Sequence, residues 1–481
     1  MQKLRKLFTP RNMTVGAPWK RILEFAVPML IGNIAQQLYA STDSVIVGQY
    51  VGDHALASVG STGPILMFMI ALFIGISTGA GILVSQAFGA KDREKLSVSI
   101  GNCLTLTAAA SLIIMALGWF FSPLILRALQ TPEEIIGDAI SYLQIYFIGI
   151  LGFTFYNILS GILRGLGDSF SALGFLLITS VLNIVLDLWF VISFGLGVPG
   201  VALATVLSQA ISAVLCYIKL TRMQAVFDIS RQTMKLRRDT VLDVFRLGMP
   251  SGITQAIFSL AMIMVQRLQN SFGPDFVATA VIAMRVDGFA MMPNFSFGMA
   301  MTTFTGQNIG AKRLDRAQQG AKQGTLMAVG VAVVMTSAVL FFGRSIMSLF
   351  THTQHIIDMG MNLLKILSLG FVGMAIMQSL SGVMRGAGDA MTPMWISILV
   401  SVVLRVPLSY LLVNLSKTTE LPLGRPESLY YAMLTTWLAG ALVNFLAFRY
   451  GRWRQIAVER MKRFDSQPNM IPAEQAAGDG Q

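Results

Sequence analysis

Two carboxylic acids stand where a bilayer would tolerate few. Asp43 and Asp187 sit well inside long apolar runs of the 481-residue chain, and an ionised carboxylate at the centre of a membrane helix costs about 2.5–3.5 kcal/mol on insertion scales. Gln36, Tyr39 and Asp43 stand at i, i+3 and i+7 and share one helix face, while Asn183 and Asp187, at i and i+4, share another. Thr205 and Asn157 add a hydroxyl and an amide from neighbouring runs. If these faces converge, they enclose carboxylate, amide and hydroxyl oxygens, hard ligands that suit a cation such as Na⁺. Burial also disfavours the ionised form of a carboxyl group, and a second carboxylate in the same site disfavours it further, so proton uptake is equally natural chemistry. A single Asn or Thr in a span ordinarily only holds helices together; two acids with amides at helical spacing point to an ion or proton site.

The elements that must position these groups are membrane helices. The chain is 54% hydrophobic and only 12% charged, with a mean hydropathy of +0.65, far from the soluble norm of about 25% charged residues. Runs such as Ala55 to Ala90 and Leu96 to Leu126 exceed the roughly 20 residues a helix needs to cross the hydrocarbon. A lipid-facing backbone must satisfy its own hydrogen bonds, which makes the spans helical. The sequence predicts twelve of them, at about 22–50, 56–88, 96–120, 136–163, 169–195, 199–220, 244–271, 277–307, 319–343, 357–384, 390–415 and 428–449.

The chain is also built twice. Arg164-Gly165-Leu166-Gly167-Asp168 returns as Arg385-Gly386-Ala387-Gly388-Asp389, an offset of 221, and Gly89-Ala90-Lys91 returns as Gly310-Ala311-Lys312 at the same offset. Six spans per half bring each half back to its starting side, so the halves are expected as two six-helix lobes related by a pseudo-two-fold axis along the membrane normal. The expected organisation is an N-terminal segment (1–21), an N-terminal lobe (22–220), a linker (221–243), a C-terminal lobe (244–449) and a C-terminal tail (450–481). The part of the linker region from Asp228 to Leu247 mixes basic and apolar residues and reads partly as an amphipathic helix on the membrane surface. The tail after Phe464 reads as disordered.

The net charge of +12 follows topology rather than a nucleic-acid surface. Among the Lys and Arg residues only Arg127, Arg344, Lys417 and Arg425 lie opposite the basic side, and Arg267, Arg285, Lys365 and Arg405 lie inside spans. By the positive-inside rule both termini face the cytoplasm. The N-terminus has no short apolar stretch ending in a small-residue cleavage site, so the first span reads as retained. Cys103 and Cys216 lie in apolar runs with no CxxC or Cys/His cluster, and neither a disulfide framework nor a zinc site is indicated.

Two motifs invite chemistry that their context denies. Gly75-Ile76-Ser77-Thr78-Gly79 matches the GxSxG of a nucleophile elbow, but it lies mid-span, and the three histidines, His54, His352 and His355, fall in outside loops; helix packing is the reading it supports. The RGxGD twins read as turns, with a left-handed Gly, an Asp capping the next helix and an Arg at the helix C-terminus. Where the halves differ is more informative. Offset by 221 or 222, Asp43 lands on Met264 to Gln266 and Asp187 on Leu408 or Ser409. Neither acid has a twin, so ion chemistry belongs to the N-terminal lobe. The C-terminal lobe offers Asp287, read as an internal pair with Arg285, and an in-span Arg405 that could meet an anionic substrate group or neutralise an acid.

The stretch Pro28 to Gly48, the Gln-x-x-Gly-Ala-Lys turns at Gln86 and Gln307 and both RGxGD loops together resemble the multidrug and toxic compound extrusion (MATE) transporters over residues 20 to 450. The resemblance implies a twelve-helix, two-lobed antiporter of the bacterial inner membrane that exports amphiphilic, often cationic, drugs by alternating access against inward Na⁺ or H⁺ flow. It implies a monomer with no cofactor beyond the coupling ion, partnered by drugs and the bilayer and by no nucleic acid. Within the family the chain looks like the DinF-like branch, in which the residues matching Asp43, Asn183, Asp187 and Thr205 form the cation site, Gln36, Tyr39 and Asn157 match positions in the pocket, and the residue matching Pro28 is a hinge in the first helix. The NorM-like branch carries acids on the seventh and tenth helices, where this chain places Phe258 and Met374. Two other readings stand beside it: a lipid or oligosaccharide flippase of the same wider superfamily, which commonly has more spans and a basic cavity, and an intramembrane hydrolase, for which no in-span His or metal motif is present.

Overall fold

Polar punctuation between apolar runs sets where the helices start and stop. The computed structural model describes residues 9–223 and 225–464. Its helices are α1 Pro18–Ile46, α2 Asp53–Gly89, α3 Arg93–Ala128, α4 Glu133–Ile148, α5 Ile150–Gly165, α6 Ser169–Leu188, α7 Gly197–Thr221, α8 Arg238–Asn270, α9 Pro274–Gly310, α10 Leu314–Ser348, α11 Gln354–Ala387, α12 Met391–Ile398, α13 Arg405–Leu415, α14 Ser428–Tyr450 and α15 Trp453–Lys462. Short π-turns follow α1 (Val47–Val51), follow α6 (Trp189–Ser193) and join α12 to α13 (Leu399–Leu404). Ten helices, and the bent pair α4 and α5, are long and apolar enough to cross a membrane. The twelfth span is α1, whose Asn33, Gln36, Gln37, Tyr39 and Asp43 keep it out of that apolar set. Large apolar side chains such as Phe120, Leu326 and Phe341 stand exposed on the surface, as a lipid solvent requires and water would penalise.

The repeated motifs are helix punctuation. Asp168 Oδ1 accepts the Ser171 N–H at 2.9 Å and Asp389 Oδ1 accepts the Thr392 N–H at 3.1 Å, so each Asp caps the helix that follows. Gly167 and Gly388 take positive φ (86° and 103°), and Arg164 Nη1 donates to Ser160 Oγ at 2.7 Å within the preceding helix. The Gly-Ala-Lys turns place Lys91 and Lys312 in the left-handed region (φ 55° and 59°) with matching bonds, Asp92 N–H to Ala87 C=O and Arg313 N–H to Asn308 C=O. A Cβ at Gly167 would overlap the Arg11 carbonyl as well as strain the backbone. Gly167→Ala is therefore expected to lower stability by about 1–3 kcal/mol, read as a lower melting temperature of the purified protein in detergent, with unchanged midpoint as the contrary result.

Small residues let the helices approach closely. Gly75 and Gly79 of α2 meet Gly248 and Gly252 of α8 backbone to backbone, and a Cβ at Gly75 would lie 2.9 Å from the Gly248 carbonyl. The stretch that resembles a nucleophile elbow is thus a packing face. The repeat is preserved in these crossings: Gly161 packs on Ser77, and its counterpart Gly382 packs on Gly298. The fourth span, expected as one helix over 136–163, is broken by 51° between Ile148 and Ile150. Gly149 sits at the break, where any Cβ would overlap Val206 of α7, so the bend lets the span hug its neighbour.

The chain forms two compact units, one built on Ile31–Gly252 and the other on Met13–Leu30 with Ile253 onward. This division departs from the linear one at the starts of α1 and α8. Ile22, Phe25 and Met29 belong to the same buried cluster as Phe304, Phe371 and Trp453, which draws the first turns of α1 into the second unit. The start of α8, through Gly248 and Gly252, lies on α2 and belongs to the first.

One expectation for the segments outside the spans is corrected. No separate surface helix forms between Asp228 and Leu247. Residues 228–237 are turns docked on α3, where the Asn102 amide donates to the carbonyls of Thr233 (3.1 Å) and Lys235 (3.0 Å) and accepts the Arg237 N–H (2.6 Å), while Arg93 clasps both oxygens of Asp228 (2.8 and 2.9 Å). With its backbone groups satisfied by α3, this stretch has no need of a helix of its own, and α8 runs from Arg238 straight into the span. Beyond the last span α15 is anchored by Trp453, fully buried, stacked on Phe448 at 5.0 Å and donating its indole N–H to the Phe448 carbonyl at 2.7 Å. The disorder expected after Phe464 lies outside the described residues.

Candidate functional site: a paired-carboxylate centre

Within the first unit, three helices bring the predicted polar residues together. Asp43 stands in the last turn of α1, Asn183 and Asp187 near the end of α6, and Thr205 in the third turn of α7. The Asp43 and Asp187 carboxyl groups lie within hydrogen-bonding reach of one another. Two ionised carboxylates cannot make such a bond, because neither has a hydrogen to donate. A bond between them requires one shared proton. Asp187 and Asn183 are both fully buried (0% exposed), and one oxygen of each acid, Oδ1, has no hydrogen-bond partner.

Asn183 is orientated by its surroundings. With Nδ2 turned to Asp187 it donates to Oδ2 at 2.8 Å and its Oδ1 accepts the Thr205 N–H at 3.2 Å; the opposite orientation leaves only a 3.4 Å contact from Nδ2 to Thr205 Oγ1. The first arrangement satisfies both ends and is the one assigned, by the usual network argument for amides. Tyr39, one turn before Asp43, brings its hydroxyl within hydrogen-bonding reach of Thr205 on α7. Gln36 lies a further turn back with an exposed side chain.

The remaining predicted residues stand apart from this network. The Asn157 amide donates to the Phe153 carbonyl of its own helix at 2.8 Å and is not joined to the carboxyl pair. Pro28 is buried inside α1, fifteen residues before Asp43 and so roughly 22 Å away along the helix. In the second unit, Asp287 does not pair with Arg285. Residues two apart on a helix point to different sides; Arg285 is exposed, and the charge that Asp287 feels is Arg405.

Sequence reasoning missed the tyrosines. Tyr142 and Tyr146 of α4, stacked with centroids 6.4 Å apart, close on the cluster: Tyr142 lies within electrostatic reach of Asp43, Asp187 and Tyr39, and Tyr146 of Tyr39. Their i, i+4 spacing on one face was the available signal. Tyr142 also belongs to an apolar cluster with Val47, Val191 and Val201, so one wall of the centre is dry. The π-turns were missed as well. Each widens the helix next to an in-span charge, Val47–Val51 one turn after Asp43 and Trp189–Ser193 two residues after Asp187, as such turns frequently do at functional sites.

Carboxylate, amide and hydroxyl groups in this arrangement can hold a proton or a cation. Comparison with known proteins places the chain in a family. The MatE family profile matches twice, at residues 28–189 and 250–411, the same doubling that the motifs display. The chain belongs to the MATE family. Among its relatives are the probable multidrug resistance protein YoeA of Bacillus subtilis, 30% identical over 83% of this chain and 88% of that protein, and the probable multidrug resistance protein NorM of Thermotoga maritima, 26% identical over 92% and 95%. Solved structures of the MATE family superpose on nearly the whole chain. A MATE transporter in complex with MaL6 aligns with a TM-score of 0.85 at 25% identity, covering 95% of this chain and 99% of that one, and a MOP superfamily transporter from Pyrococcus furiosus aligns at 0.84 with the same identity and coverage. The twelve-helix all-α membrane fold is that of a MATE transporter, and the protein is not an enzyme.

Proposed function

We propose that this MATE protein is a cation-coupled antiporter that exports amphiphilic, often cationic, drugs by alternating access, with the proton as coupling ion and the Asp43–Asp187 pair as its carrier. The observation that carries the reading is the close approach of two buried carboxyl groups, each with an oxygen that has no partner. A pair that must hold a proton to stay in contact repels itself when the proton leaves, so loading and unloading would change the relation of α1 to α6. Na⁺ fits the same residues less well. It needs oxygens, and Asn183 turns its N–H groups to Asp187 and spends its oxygen on the Thr205 backbone. The drug assignment rests on relatives named as multidrug resistance proteins and, at 23% identity, the multidrug export protein MepA of Staphylococcus aureus.

In this reading Gln36, Tyr39 and Asn157 line the path of the drug, and Pro28, which denies α1 one backbone bond, is where the helix bends on protonation. The absence of acids at Phe258 and Met374 fits a DinF-like arrangement with ion chemistry in the first unit alone. The protein would work as a monomer of the bacterial inner membrane with both termini in the cytoplasm, in keeping with its basic loops.

The test is drug efflux from energised vesicles under separately imposed gradients. An inward proton gradient without Na⁺ is expected to drive export, and a Na⁺ gradient at clamped pH to drive none; the reverse pattern rejects the proton and leaves Na⁺ at the same residues. A second measurement separates binding from transport. Bound Na⁺ at one hundred times its dissociation constant would stabilise the detergent-solubilised protein by about 2.7 kcal/mol, so an unchanged melting temperature in NaCl against choline chloride near pH 8 is the expected result.

A further inference from the structure

The second unit holds a buried charge that the proposed ion chemistry does not use. Arg405 begins α13 directly after the π-turn Leu399–Leu404, inside the span Met391–Leu415. Its side chain is 3% exposed. Nε lies 3.5 Å from Thr436 Oγ1, the guanidinium lies over the Phe258 ring with 5.8 Å from Cζ to the centroid, and Nη1 has no partner at all. Asp287, on α9, is near enough to feel this charge, yet its Oδ1 is likewise buried without a partner. A buried guanidinium with an idle N–H and a nearby carboxylate that leaves one oxygen unbonded are both costly. An acceptor brought by a ligand to the idle N–H would relieve the first of these costs.

The backbone points the same way. Of the three π-turns among the described residues, two adjoin the carboxylates of the first unit and the third adjoins Arg405. No counterpart of this arginine exists one repeat earlier, where residues 183 and 184 are Asn and Ile, so its presence is not required by the repeated fold. Phe258 covers the guanidinium from its own helix and is 39% exposed, which leaves part of its ring open.

We propose that Arg405 is a recognition site for the carboxylate of an acid-bearing aromatic amphiphile, that Phe258 stacks on the aromatic body, and that Asp287 is the resident counter-charge which the carboxylate displaces. A guanidinium suits this task because its planar fork takes a carboxylate through two parallel N–H bonds and stacks on aromatic faces, whereas a lysine offers only a point charge. The proposal rests on the export reading and extends its substrates from cations to molecules that carry both charges.

The test uses two dyes that differ in one group, rhodamine B with its free carboxylate and its ethyl ester, bound to the purified full-length protein at pH 7.5 and followed by fluorescence anisotropy. The unaltered protein is expected to bind the acid at least tenfold more tightly than the ester. Arg405→Met should remove that preference by weakening the acid alone, Arg405→Lys should keep only part of it, and Asp287→Asn should tighten the acid by relieving competition. Phe258→Leu should weaken both dyes alike. Equal affinity for the two dyes in the unaltered protein, or an Arg405→Met loss shared by both, overturns the proposal; Arg405→Lys guards against a folding defect, since it keeps the charge. Binding alone decides this point. A failure of ester export under a cation gradient, with binding intact, would instead sink the antiport reading.

Discussion

Asp43→Asn will reduce drug export to the level of cells that carry no transporter, at normal membrane expression and with little change in melting temperature. The asparagine keeps the shape of the side chain and can still bond to Asp187, so the packing of α1 on its neighbours survives. What it removes is the shared proton. In the proposed mechanism Asp43 and Asp187 hold together because one lends a hydrogen to the other, whereas an amide makes the same bond permanently, with nothing to release. The exchange step is lost while the drug path is left intact. Facilitated drug movement down its own gradient should therefore persist in vesicles even though accumulation against it stops. Resistance equal to that of the unaltered protein would remove Asp43 from the coupling step.

Gly79→Leu will prevent the first unit from packing, an effect on folding as large as the previous one on transport. A Cβ at Gly79 would overlap the Val244 carbonyl and stand 2.7 Å from the Gly248 nitrogen. These are backbone atoms of α8 and cannot step aside as a flexible side chain could. Separating the helices forfeits the contacts along Gly75, Gly248 and Gly252 together, so the cost belongs at or beyond the upper end of the usual overpacking range, about 3 kcal/mol. Gly60→Leu is the control on the same helix, since nothing lies within 4 Å of a Cβ there. The expected readout is aggregated or degraded Gly79→Leu beside normally folded Gly60→Leu by size-exclusion chromatography; equal behaviour of the two would mean that the α2–α8 crossing is not as tight as described.

Much of the architecture can be read along the chain because it is local. Apolar length and the absence of water set the spans, the RGxGD and Gly-Ala-Lys twins announce their turns through Asp caps and left-handed backbone, and an offset of 221 declares the duplication. Cost identifies the site residues too, since Asp43 and Asp187 stand out against an apolar solvent. Periodicity, however, says only which residues share a face of one helix. It carries no information on which face meets which, because the rotation and tilt of each helix are decided by packing against its neighbours, here by glycines as far apart in sequence as Gly79 and Gly248. That is why the approach of Asp43 to Asp187, the orientation of Asn183, the approach of Tyr142 and Tyr146, and the placing of Asp287 within electrostatic reach of Arg405 were decided only by the tertiary structure.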